Sequence, residues 1–86
     1  MNSANITTIL PCSLNNRNLP VFINGVSTIK SNIIFIKDGR TAQAKSLLGL
    51  LSLCCQKGDE VEIVCMSRDS DADKDLQEVI DVLNRI

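Results

Sequence analysis

Along the chain, apolar positions recur with two spacings, every second residue and every third or fourth, and the switches between them mark out elements. ANITTIL is short and β-branched and reads as a strand. The loop PCSLNN follows. Leu19, Phe22, Ile23 and Val26 then share one helical face. Asn15 or Asn16 can cap that helix by accepting a backbone N–H bond. Pro20 sits in the first turn, where a missing N–H costs little, and Gly25 weakens the interior.

SNIIFIKDGRTAQA predicts a hairpin: Ile33 to Lys37 is a strand, Asp38-Gly39 supplies the positive φ angles of a two-residue turn, and Arg40 to Ala44 returns. KSLLGLLSLCC is a short apolar helix with Ser46 as its natural N-cap. A turn at Lys57-Gly58 leads to a strand in which Val61, Ile63 and Cys65 alternate with Glu62, Val64 and Met66. The last segment is the clearest helix. Ser70 or Asp71 caps it, acidic residues crowd its first turn where the helix dipole favours them, and Leu76, Val79, Ile80, Leu83 and Ile86 form its apolar stripe. The order is βαββαβα. It predicts an α+β domain over residues 1–86, with a four-stranded antiparallel sheet and three helices on one face.

Composition narrows the function. At 86 residues and 44% apolar content the chain can build one core, burying about 60–65% of its unfolded surface. Phe22 and Phe35 are the only aromatics, so the core rests on Ile, Leu and Val. A net charge of −1 and the lack of stacking aromatics argue against nucleic-acid binding. No apolar run approaches the ~20 residues of a membrane span, and MNSANITTIL does not read as a signal peptide, so the expected location is the cytoplasm. Cys12, Cys54, Cys55 and Cys65 are expected to be reduced thiols, the last three in apolar surroundings. With no CxxC pair and no histidine, no metal or cofactor is expected.

From Ile36 onward the chain resembles the second half of HPr, the histidine-containing phosphocarrier of the bacterial sugar phosphotransferase system. The resemblance is carried by the hairpin with its glycine, AKSLLGLLSL, KGDEVEI and the terminal helix. The family pattern at the second of these is close to A-K-S-[IL]-[ML]-G-[LV]-[ML]-S-L. The resemblance implies the open-faced β-sandwich, in agreement with the element order.

The first half departs where the family carries its phosphorylatable histidine, in G-[IL]-H-A-R-P. Here SLNNRNLP places Ser13 on the glycine, Leu14 on the Ile/Leu, Asn15 on the histidine, Arg17 on the arginine and Asn18 on the proline. A phosphohistidine carrier needs an imidazole nitrogen as nucleophile, with helix N-terminal N–H groups and an arginine to hold the phosphate. An asparagine amide is not nucleophilic, although it caps a helix well. Arg17 can still hold an anion there, or it is an ordinary solvated arginine. Cys12, three residues before Asn15, is an alternative phosphoacceptor if its thiolate is activated by the helix start and Arg17; otherwise it is an incidental loop cysteine.

The resemblance implies a regulatory site at Ser46. The serine at this place in Gram-positive HPr proteins and their catabolite-repression relatives is phosphorylated by an ATP-dependent HPr kinase. Lys45, Leu47, Leu48, Gly49 and Leu51 match the flanks. Either Ser46 is that switch or it is only an N-cap. The resemblance also assigns Leu47, Leu48 and Leu51 to the apolar surface by which the family docks partners, here HPr kinase/phosphorylase and a transcription regulator. The expectation is therefore a non-enzymatic, histidine-less regulatory protein. The alternatives are a phosphocarrier using Cys12 or another group, and an interaction module unrelated to sugar regulation. Last, the family's sheet order and strand phases would put Ile9, Ile34, Ile36, Val64 and Met66 together on the open face, which predicts a homodimer or a partner contact there.

Overall fold

The β-branched segments come together as one sheet in the computed structural model, which describes residues 2–86. The elements are β1 (Asn2–Ile9), α1 (Leu19–Val26), β2 (Asn32–Lys37), β3 (Arg40–Gln43), α2 (Leu47–Leu53), β4 (Glu60–Ser67) and α3 (Ala72–Arg85). The strands lie in the order β1-β4-β2-β3, every neighbouring pair antiparallel. This is the βαββαβα open-faced sandwich that the sequence predicts. The β2–β3 turn has φ values of 52° at Asp38 and 76° at Gly39, the left-handed pair of a two-residue hairpin. The return strand ends one residue before the predicted Ala44, although Ala44 N–H still donates to Ile33 O at 2.9 Å.

Register decides which side chains enter the core, because directly opposed residues share a face. Ile63 lies opposite Phe35 and Cys65 opposite Ile33, and all four are buried under the helices. Phe22 of α1 meets Phe35 edge-to-face, with centroids 5.7 Å apart and planes at 70°. Ile6 has the inward phase, opposite Ile63, yet it is 41% exposed because β1 is an outer strand. The stripe of α3 is rotated from the expected one. Val82 is buried with Leu76, Val79 and Leu83, whereas Ile80 and Ile86 are only partly covered. The cause is the seam with α1: a Cβ on Gly25 would come within 2.8 Å of Val82 Cγ1, so Gly25 is what lets the two helices approach.

The first turn of α3 buries a carboxylate. Asp75 Oδ2 accepts from Ser31 Oγ at 2.6 Å and from Ser70 Oγ at 2.7 Å. Burial pushes its pKa up, but the bonds from Ser31 and Ser70 outweigh that and hold it below the ordinary aspartate value. Asn2 extends the network, donating to Ser70 O and accepting from Ala72 N.

Among the cysteines, Cys55 and Cys65 are core residues, and burial pushes the Cys65 thiol up to about 11. Cys54 is not in apolar surroundings as predicted. It is exposed at the C-cap of α2, with a left-handed φ of 53° that turns its side chain outward. That end of α2 is held by the hairpin: Lys37 Nζ donates to the carbonyls of Leu53 and Cys54, and Arg40 to that of Ser52.

Candidate functional site

Two helix starts carry the residues that the sequence singles out. The loop before α1 is tied to the segment before β4. Leu10 N–H donates to Asp59 O and Leu14 N–H to Cys55 O, each at 2.9 Å, and both side chains are buried. Lys57 N–H donates to Ser13 Oγ at 2.9 Å. The chain therefore enters the next turn at a fixed angle.

That turn is closed by two asparagines. Asn15 Oδ1 accepts from Arg17 N at 2.9 Å and from Asn18 N at 3.2 Å, while Asn18 Oδ1 accepts from Asn15 N at 3.0 Å. This reciprocal arrangement is a capping box one turn before the regular helix. Leu19 N–H, donating to Asn15 O at 2.9 Å, runs the turn into α1. Of the two predicted caps, Asn15 supplies the bonds and Asn16 supplies none. Asn18, which precedes α1 directly, caps nothing within the helix itself. Its Nδ2 instead donates to Ser13 O at 2.6 Å, so it fastens both sides of the turn. Sequence reasoning missed this role. The signal was an asparagine three residues after an asparagine, the spacing of a capping box.

The outcome at residue 15 is chemical as well as structural. An uncharged carboxamide oxygen takes the N–H groups of Arg17 and Asn18, the donors that an anion at this helix start would use. Arg17 itself is exposed and makes no side-chain hydrogen bond or ion pair among the described residues. Cys12 does not face this site. Its half-buried Sγ lies 3.7 Å from Leu83 O, and burial raises its pKa, which disfavours the thiolate.

The start of α2 is built differently. Ser46 has extended backbone angles, φ −103° and ψ 111°, and its Oγ accepts from Gly49 N at 3.1 Å. Leu50 N–H closes the first helical turn on Ser46 O at 3.0 Å. A Cβ on Gly49 would come within 3.0 Å of that hydroxyl. The leucines then divide by helical spacing. Leu50 and Leu53 are buried, Leu51 is half-buried, Leu47 is 43% exposed and Leu48 is 79% exposed. α1 packs beside α2, and its Val21 is 56% exposed. Among the described residues no cluster of metal-ligating side chains occurs, and no helix is long and apolar enough to cross a membrane.

Comparison with known proteins gives a consistent picture. A family model described as "PTS HPr component phosphorylation site" matches residues 3–85. The HPr-like protein Crh of Bacillus subtilis is 32% identical over 60 residues, covering 70% of this chain and 71% of that protein. The crystal structure of the phosphocarrier protein HPr from Bacillus anthracis superimposes with a TM-score of 0.84 at 24% identity, over 95% of this chain and 98% of that one. A crystal structure of B. subtilis Crh, described as an intertwined dimer with a swapping domain, gives a TM-score of 0.72 at 25% identity, over 99% and 95%.

Proposed function

The chain belongs to the HPr family, and from that premise we propose that it is a histidine-less regulatory member, bound by other proteins and switched by phosphorylation of Ser46. The observation that carries the reading is the contrast at residue 15. The position that should hold an imidazole holds a carboxamide whose oxygen is engaged by two backbone donors, so the phosphohistidine step has no nucleophile. The similarity to a protein named catabolite repression HPr supports the regulatory side.

Ser46 supports the switch by its position. Ser46 is half-buried with an uncharged hydroxyl, and it stands before exposed Leu47 and Leu48. A phosphate on it would meet the positive end of α2, so modification need not unfold the helix. The dianion would alter the charge beside the leucine surface without moving it. Arg17 completes the proposed partner-binding set as a cation with no internal partner, alongside Leu47, Leu48 and Leu51. The proposed partners are an HPr kinase/phosphorylase and a transcription regulator, met in the cytoplasm.

Radiolabelled ATP with an HPr kinase tests the assignment. The native chain gains label and Ser46→Ala gains none. Label that persists in Ser46→Ala places the phosphate elsewhere and removes the switch.

A further inference from the structure

The outer face of the sheet has an apolar centre between ends of unlike charge. Ile34 lies directly opposite Val64, with Ile36 and Met66 diagonal to that pair, and all four are half-buried on the side away from the helices. Ile9 does not join them, contrary to the sequence expectation. Its register partner is Glu60, and Thr7 and Glu62 separate it from Ile36. One end of the face is a cleft lined by Ile36, Lys37, Asp38, Asp59, Glu60 and Glu62. Its lysine is taken by Asp59 at 2.8 Å, the one ion pair among the described residues, so the cleft is acidic. The opposite end is a second cleft, lined by Asn32, Met66, Ser67 and Arg68.

Outward positions along β4 therefore read Glu60, Glu62, Val64, Met66 and, one residue past the strand, Arg68. Glu60 and Arg68 each lie four residues from Val64, about 13 Å away at a strand's rise. We propose that this face binds a second copy of the chain, the two sheets packing about a two-fold axis through Val64 and Ile34 with their β4 strands antiparallel. Reversal about Val64 seats Glu60 of each copy against Arg68 of the other and Glu62 over Met66, while Val64 and Ile34 meet their own counterparts. The parallel alternative would stack Glu60 on Glu60 and Glu62 on Glu62, which like-charge repulsion disfavours. Four strands of this length offer about 500 Å² per copy, at the low end for a specific interface, so the dimer is weak and reversible.

Sedimentation of the full chain between about 10 µM and 1 mM reads the association directly. The native chain shifts towards dimer with concentration, and Ile34→Lys, Val64→Lys stays monomeric. The exposed charges test the register without touching the core. Glu60→Arg and Arg68→Glu each weaken the dimer by about tenfold, and the double reversal recovers most of that loss. A native chain that stays monomeric overturns the proposal. So does a dimer that survives the lysine pair, which would indicate another interface such as strand exchange. Single reversals that weaken association with no recovery in the double variant overturn the antiparallel register.

Discussion

At the start of α1 two asparagines satisfy one another's backbone donors, whereas at the start of α2 a single serine hydroxyl accepts from Gly49 N. Both arrangements answer the same need, since the first N–H groups of a helix have no partner within it. They differ in what the capping atom can do next. A carboxamide oxygen accepts hydrogen bonds but does not become a phosphoester. A hydroxyl serves as cap and, once deprotonated by a kinase base, as nucleophile. On the proposed reading, residue 15 has lost the family's chemistry and kept a structural job, while a neighbouring helix start keeps a modifiable group in the same role.

The contrast is broken most completely if the α1 start can be made to work. The native chain accepts no phosphoryl group from phosphoenolpyruvate and the general phosphotransferase enzymes. Asn15→His supplies an imidazole and frees the N–H groups of Arg17 and Asn18, so some acceptance follows. Adding Asn18→Pro removes the carboxamide that ties Ser13 and Asn15 together, but also the N–H of residue 18, so labelling then rests on the freed Arg17 N–H and falls short of that of the single variant. If both variants stay inert, Ser13 and Asn16 have altered the site as well.

Acid separates the helix starts from the rest of the molecule, since neither capping group titrates. Asp75 has a native pKa below its unfolded value of about 3.9. Its contribution to stability is therefore present above that value and is lost as pH falls through the native one. Denaturant melts at neutral pH and near pH 3 should show this loss. Asp75→Asn costs about 1–3 kcal/mol at neutral pH and flattens the acid dependence, leaving the part due to Asp59, whose pKa is lowered by its bond to Lys37. Ser46→Ala and Asn15→Ala keep the native acid profile. A changed profile in either would show that the caps are coupled to the Asp75 network.

The smallest effects compare the caps themselves. Asn15→Ala and Ser46→Ala each cost about 1 kcal/mol in equilibrium unfolding, Asn15→Ala the more because its oxygen serves two donors. Gly49→Ala is close to neutral. Its gain in helix propensity, about 1 kcal/mol, is offset by pushing the Ser46 hydroxyl from its seat.

The sequence made the α2 start more legible than the α1 start, for a physical reason. A serine opening a short apolar helix is a local pattern, and Ser46 caps α2 as read. The alternation in β4 is equally local, so Val61 and Ile63 are buried as read, whereas the run IIFI of β2 has no alternation of its own and its phase, with Ile33 and Phe35 inward, came from the family resemblance. What escaped depends on contacts between distant segments. The rotation of α3 towards Val82 is set by Gly25 on another helix. The separation of Ile9 from Ile34 is set by its pairing with Glu60 across β1 and β4. The turn of Cys12 towards Leu83 joins residues at opposite ends of the chain. Asp75 was read as one acidic residue among several in the first turn of α3, because the hydroxyls that hold it come from Ser31 and Ser70, outside the helix.

On the proposed reading, phosphate reaches this protein from ATP and not from phosphoenolpyruvate. The intact mass of the native chain, measured after separate incubation with phosphoenolpyruvate plus the general phosphotransferase enzymes and with ATP plus HPr kinase, tests it most directly. The first sample should show no change and the second the gain of one phosphoryl group. A gain in the first sample would contradict that reading by showing a working carrier, and no gain in either would leave an interaction module without the proposed switch.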